Sequence, residues 1–431
     1  MSTTTALFDK IYACNAAGTI GNSMGDVTEG LTWRQIEERY GFVDTLLPQD
    51  KPERRRKMEW GPDFHYKAHH RPPGMTEDGQ ERHRLMCEAI IRKGGRVTVI
   101  DLACTWVDLI DPAKFGYLLG PQDQVIYYSL KAGLPPSEVG RYAAWPGFIG
   151  TTKMIEPVEL VNACDPDQSA LDAHDVGRLK DVTGRPGNYA LEVAAGVAAG
   201  VAEALKPGAT VGGVLDAVLG QLSAVPRREV QDGLDWAREH RDWKALRPLY
   251  DDRYRGRPIS NAVEILSSAL AVFYLADGDP RECLLAAVNL GRDCDCRADG
   301  STLSNESSST TPTRSRAARC KTPLTASTAP PCTRTSRRSG RWSSSRRSCS
   351  VMRDACCVGA LGSGEGVARS PPLIRQVATR NTRHGRDGSS SSNSGRTTTL
   401  SCSFGSVRAM MAVHGSDWLR LMGACGTLAG M

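Results

Sequence analysis

Apolar residues recur every three to four positions through the first 298 residues, the spacing of helices that bury one face. Gln80 to Lys93 puts Leu85, Met86, Ala89 and Ile90 on one side, and Gly94-Gly95 stops it. The same spacing predicts helices over Val97–Leu109, Gln168–Leu179, Asn188–Leu205, Thr210–Leu222, Arg228–His240, Ser260–Leu275 and Pro280–Leu290. The Asn188–Leu205 helix is apolar nearly all round, as a fully buried helix is. Its Gly196 and Gly200, four apart, would let a neighbouring helix approach closely. Alternating strand patterns are almost absent, so the predicted fold class is all-α.

Near residue 299 the pattern ends. Residues 301–350 are Ser, Thr, Arg, Pro and Cys with almost no Leu, Ile, Val or Phe. The predicted organisation is therefore one helical domain, 1–298, and a Ser/Thr/Arg-rich segment of low order, 299–431. A second reading of that segment is translation in a wrong frame, because Arg, Ser, Pro, Thr, Cys and Gly are what a GC-rich gene yields out of frame. Back-translating Cys320–Ser327 and shifting the frame allows Gln-Asp-Ala-Val-Asp-Gly-Ile, an amphipathic stretch. Resequencing the gene tests this: a clean uninterrupted frame in an independent isolate removes it.

Composition then changes one inference. The formal net charge is +6, yet residues 301–431 hold 19 Lys and Arg against 5 Asp and Glu. The helical part is thus mildly acidic, which argues against a nucleic-acid surface there. The 301–431 segment has only Trp342, Phe404 and Trp418 for base stacking. Residues 1–10 lack the basic and apolar stretches of a secretion signal, and the Tyr189–Leu205 run carries Glu192 and Glu203, a poor membrane span. The cysteines have no regular disulfide spacing, so a reduced, cytoplasmic protein without membrane partners is expected.

Three acidic clusters could carry chemistry. The first is Gly21-Asn22-Ser23-Met24-Gly25-Asp26-Val27-Thr28-Glu29, where small residues at helical spacing permit tight packing and Glu29 lies just past the helix end. No Lys follows these glycines, which excludes a P-loop. The second is Thr76-Glu77-Asp78 at the start of the helix from Gln80. One reading makes Thr76 an N-cap and the acids complements to the helix dipole. The other is a hard oxygen site of the kind magnesium requires. The third is Gly291-Arg292-Asp293-Cys294-Asp295-Cys296, whose alternate acids could face one ion. An acidic turn, or a zinc site using Cys283, Cys294 and Cys296, are its other readings, although the zinc site lacks paired Cys-x2-Cys groups. His65 and His69, with His70 adjacent, lack the Glu of a metalloprotease motif and read as surface residues.

In this order and on a helical background, the clusters resemble the ADP-ribosylglycohydrolase family. That family opens with Gly-Asp-x-x-Gly-x-x-x-Glu, then has Thr-Asp/Glu-Asp at a helix start and Gly-x-Asp-x-Asp-Thr near its end. The segment Lys153-Met154-Ile155-Glu156-Pro157 through Asp165 resembles its central region, and the likeness runs from about Ile11 to Ala298. The resemblance implies a hydrolase that cleaves the glycosidic bond of ADP-ribose, or a related ribosyl group, on a protein side chain or small molecule. It implies two Mg2+ ions, held by Thr76, Glu77 and Asp78 on one side and Asp293, Asp295 and Cys296 on the other. Glu29 would sit beside the ribose, and Glu29 or Asp78 would serve as catalytic base. Gly147 and Gly150 fall where the family contacts substrate. Three departures stand out. Asn22 replaces Asp, Glu77 is one methylene longer than Asp, and Cys296 replaces Thr with a thiol, a poor partner for a hard ion. The family's helices beyond the last acidic pair are replaced here. The alternatives are an ADP-ribose-binding module without catalysis, or an inactive frameshift product.

Overall fold

A computed structural model describes residues 3–50, 70–115, 119–182 and 187–299. The expectations for His65, His69 and residues 300–431 lie outside these residues. The elements run in order as helices α1 (Thr3–Asp26) and α2 (Trp33–Tyr40), strands β1 (Gln49–Asp50) and β2 (His70–Arg71), and helices α3 (Asp78–Lys93) and α4 (Val99–Leu109). Next come α5 (Pro121–Lys131), α6 (Pro136–Val139), α7 (Gly150–Ile155), α8 (Pro157–Val161), α9 (Pro166–Gly177) and α10 (Ala190–Ala204). The last are α11 (Val211–Gly220), α12 (Ala224–His240), α13 (Trp243–Arg253), α14 (Ala262–Leu275), α15 (Pro280–Val288) and α16 (Cys294–Asp299). The fold is all-α, as the periodicity predicts. Among the described residues two strands, two residues each, form one antiparallel pair.

Helix boundaries follow local chemistry. Thr98, Thr210, Asn261 and Asp279 each accept a backbone N–H in the first turn of the helix they precede. α3 ends on Gly94 in the left-handed region. The cap of α3 is Glu77 rather than Thr76: its extended backbone lets its own carboxylate accept the Gly79 N–H.

Helix α10 is the axis of the molecule. Its Ala194, Ala195, Ala198 and Ala199 join one core with Leu85 and Met86 of α3, Leu102 and Trp106 of α4, and Met154 and Ile155 of α7. Its Val193, Val197 and Val201 face a second core with Val214 and Val218 of α11, Val230 and Leu234 of α12, and Ile265 and Leu270 of α14. The absence of a side chain at Gly196 admits α11, since a Cβ there would stand 3.2 Å from the Val218 carbonyl oxygen. Each fully buried Leu, Ile, Val or Met in these cores stabilises the fold by about 1.5–3 kcal/mol. A third, smaller core joins Met24 of α1, Ile36 of α2, Val288 of α15 and Cys294 and Ala298 of α16. That core sets the two chain segments carrying Glu29 and Asp293 against each other.

Candidate active site

The loop after α1 and the loop before α16 are joined backbone to backbone. The Gly30 N–H donates to the Arg292 carbonyl at 2.7 Å, and the Arg292 N–H returns to the Leu31 carbonyl at 2.7 Å. Thr28 Oγ1 donates to the Val288 carbonyl at 2.8 Å. Arg292 takes a positive φ of 68° and Gly291 one of 98°, so the chain turns sharply into α16. Gly25 completes the junction, because a Cβ there would lie 2.4 Å from the Asp295 Cα. Residues about 270 positions apart in sequence thereby share one small volume, and the first and third acidic clusters meet.

The second cluster enters through Asn22. Its side-chain Nδ2 donates to Glu77 Oε1 at 2.6 Å, and its Oδ1 accepts the Glu77 backbone N–H at 3.0 Å. An aspartate here would set a second negative charge against Glu77, whereas the amide satisfies both of its partners. Asp293 and Asp295 are almost fully buried, at 1% and 2% exposure. Among the described residues, the group of side chains suited to hold a metal is Asp293, Asp295 and Cys296, whose ligand atoms lie within 4.8 Å of one another. Cys283 and Cys294 do not join it, so the thiolate zinc arrangement is not assembled. Glu29 is half-buried beside this group.

Lys153, which sequence reasoning did not single out as a functional residue, stands in the middle. It comes from α7 and is 2% exposed. Its Nζ donates to Glu77 Oε1 at 2.7 Å and to Asp295 Oδ2 at 2.8 Å. The charges respond accordingly. Burial works against ionisation of Glu77, but the Lys153 charge and hydrogen bonds from Asp78, Lys153 and Asn22 hold that carboxyl well below its usual range. Burial pushes the Asp295 carboxyl well above it; Lys153 pulls it back, while Asp293, Glu29 and Glu77 push it further up. Burial also raises the Cys296 thiol, helped by Asp293 and Asp295. That thiol donates to Asp295 Oδ2 at 3.6 Å.

A second polar group adjoins the first through Asp78. Arg82, one turn along α3, donates to Asp78 Oδ2 at 2.5 Å and grips Asp123 of α5 with two bonds of 2.7 Å. Burial raises the Asp78 carboxyl above its usual range, Arg82 opposes this and Glu77 adds to it. Behind them Lys180 is fully buried, its Nζ 3.9 Å from Asp123 Oδ1 and without a hydrogen-bond partner. Gly147 and Gly150 belong to this side. The Gly147 N–H donates to Asp181 Oδ2 at 3.2 Å, and a Cβ on Gly150 would stand 2.9 Å from the Lys180 Cε. They bracket the entry into α7, the helix that delivers Lys153. Of the residues expected to form the site, Glu77, Asp293, Asp295 and Cys296 share one centre with Glu29 at its edge. Asp78 faces Arg82, and Thr76 precedes the α3 cap. Arg82, Asp123 and Lys180 were missed; the spacing of Asp78 and Arg82 by four on a helix was their one local signal.

Two carboxylate oxygens test whether this centre suits a cation. Asp293 Oδ2 and Asp295 Oδ1 are buried and have no hydrogen-bond partner. Buried charge without a partner is costly, and a divalent ion bound by hard oxygens removes that cost. The residues fit a cation on the Asp293 side.

The centre is thus acid-lined and framed by α1, α3, α7 and α16 in an all-α fold. The chain belongs to the ADP-ribosylglycohydrolase family, whose model matches residues 3–298. Among solved structures the chain is similar to an "ADP-ribosylglycohydrolase-related protein complex", at 19% identity and a TM-score of 0.49, over 69% of this chain and 87% of that one. No curated protein matches it.

Proposed function

We propose that the protein is a metal-dependent hydrolase that releases ADP-ribose, or a related ribosyl group, from a protein side chain or small molecule. The observation that carries this reading is the convergence of Glu29, Glu77, Asp293 and Asp295, with Asp293 Oδ2 and Asp295 Oδ1 buried and unpaired. Asp293 and Asp295, with Cys296 beside them, would hold a divalent ion, and Mg2+ is the ion their oxygens favour. When bound, such an ion supplies Lewis acidity toward water and the ribose hydroxyls.

The chain's own groups supply the rest. Glu29, half-buried at the edge of the centre, accepts the proton of the attacking water as general base. Asp78 is the second candidate for that role, but its pairing with Arg82 ties it to the neighbouring network. As the bond at the ribose anomeric carbon breaks, positive charge grows on the sugar, and the surrounding carboxylates stabilise it. The loop from Gly147 to Gly150 borders the substrate in this reading. Among the described residues Cys87, Cys294 and Cys296 are thiols, which suits a reducing, cytoplasmic setting. No helix among the described residues is long and apolar enough to cross a membrane.

The test is release of free ADP-ribose from arginine- and serine-linked substrates by the full chain with Mg2+. Release that stops on chelation and returns with Mg2+ supports the reading. Intact ADP-ribose binding without release replaces it with a binding module.

A further inference from the structure

The two sides of the acidic centre differ in how their oxygens are used. Glu77 Oε1 accepts three hydrogen bonds: from Lys153 Nζ at 2.7 Å, Asn22 Nδ2 at 2.6 Å and the Gly79 N–H at 3.0 Å. A carboxylate oxygen has about two lone-pair sites, so this atom has none left for a metal. Asp295 Oδ2 likewise accepts from Lys153 Nζ at 2.8 Å and from the Cys296 thiol. The opposite oxygens, Asp295 Oδ1 and Asp293 Oδ2, accept nothing. The centre is thus saturated where Glu77 meets Asp295 and open where Asp295 meets Asp293.

The saturating group is held in place by the fold. Lys153 lies in a run of buried residues, Thr151 to Ile155, on α7. Its stem passes over Gly79, where a Cβ would stand 2.4 Å from its Cε and 2.5 Å from its Nζ. Gly79 therefore opens the slot through which the ammonium reaches the acids. Nitrogen–oxygen distances of 2.7 and 2.8 Å suit charge-assisted hydrogen bonds, whereas a magnesium ion draws its oxygens to about 2.0–2.1 Å.

Resting on the metal-dependent reading above, we infer that Lys153 is a built-in cation that takes the place of one of two metal ions, so that the centre holds a single divalent ion between Asp293 and Asp295. Lys153 acts here as a positioning residue. It ties the start of α3 to the start of α16 and neutralises charge between them. It offers three N–H donors and no Lewis acidity. Any polarisation of water would then fall to the one metal.

Counting bound Mn2+ tests this without reference to turnover. The full chain is stripped with chelator, titrated with Mn2+ and followed by electron paramagnetic resonance and thermal unfolding. The unaltered chain is expected to bind one Mn2+ with the spectrum of an isolated ion. Lys153→Met, of similar length and no charge, is expected to bind two, with an exchange-coupled spectrum. Its Tm is expected to fall in chelator and recover with Mn2+. Two ions, or none, on the unaltered chain overturns the inference. So does a folded Lys153→Met chain that still binds one ion. Should that variant not fold, the count on the unaltered chain decides alone. One bound ion with no ADP-ribose release refutes the hydrolase and leaves the inference standing. Release with two bound ions does the reverse.

Discussion

At the scale of single residues, the charge at the centre is arranged by neighbours rather than by residue type. The carboxylates gathered there have different environments: Glu77 is held well below its usual range, while burial pushes Asp78 and Asp295 well above theirs. Glu29 is half-buried at the edge of the centre, and glutamine matches its shape while lacking the basic carboxylate. Glu29→Gln is therefore expected to lower kcat for ADP-ribose release by about 10²-fold or more, with Tm nearly unchanged. Steady-state kinetics and a melting curve read both; an unaltered kcat would remove Glu29 from the mechanism. Lys180 gives a pH prediction. Burial, together with the nearby Arg82 charge, pushes its ammonium down to about 7, against 10.5 in the unfolded chain. Between those values the unfolded chain binds a proton that the native chain does not, so stability rises with pH across that window. Lys180→Met removes a group with no hydrogen-bond partner. Urea melts should show it more stable than the parent at pH 6, with the gap closing toward pH 10. A gap constant with pH would show that Lys180 is not the titrating group.

At the scale of elements, the decisive contact is α1 against α16. It has no side-chain cushion at Gly25, where the backbone of Asp295 occupies the space a Cβ would need. The two backbone bonds between Gly30, Leu31 and Arg292 extend the same junction. Gly25→Ala forces backbone against backbone, so it is expected to cost about 3 kcal/mol, the upper part of the range for overpacking. Because the displaced atoms belong to Asp295, Mn2+ affinity should fall along with Tm. A variant with lowered Tm and parental Mn2+ affinity would show that this junction does not shape the metal site. The N-terminal end of α3 tells a related story. Glu77 both caps the helix and receives Lys153, so local helix chemistry and the long-range ion pair use the same carboxylate.

At the scale of the whole molecule, two cores share α10, and the acidic centre lies where the α1–α16 pair meets α3 and α7. A ligand that bridges those elements should stabilise all of them together. At one hundred times its Kd, a ligand specific to the native state adds about 2.7 kcal/mol. ADP-ribose with Mg2+ is thus expected to raise Tm by several degrees, and ADP-ribose in chelator by much less. Equal stabilisation with and without the ion would separate substrate binding from the metal.

Much of the fold was legible in the sequence. The spacing of Leu85, Met86, Ala89 and Ile90 foretold α3, Gly94 its end, and the apolar girth of Asn188–Leu205 a buried helix; its place between two cores came from the packing. These signals are local: helical periodicity, caps and stops act within a few residues. The short helices α6, α7 and α8 were not legible, because four to six residues carry too little periodicity. The acidic motifs were visible, and so was their membership in one site by resemblance. What the tertiary structure decided is how their charge is balanced. Lys153 and Asp295 lie 142 positions apart, and Arg82 and Asp123 lie 41 apart. No local pattern links such partners, because they meet only when separate helices pack and water is excluded. The sequence by itself determined the helices and the acids; packing determined that one buried lysine stands among those acids, leaving two oxygens open on the Asp293 side.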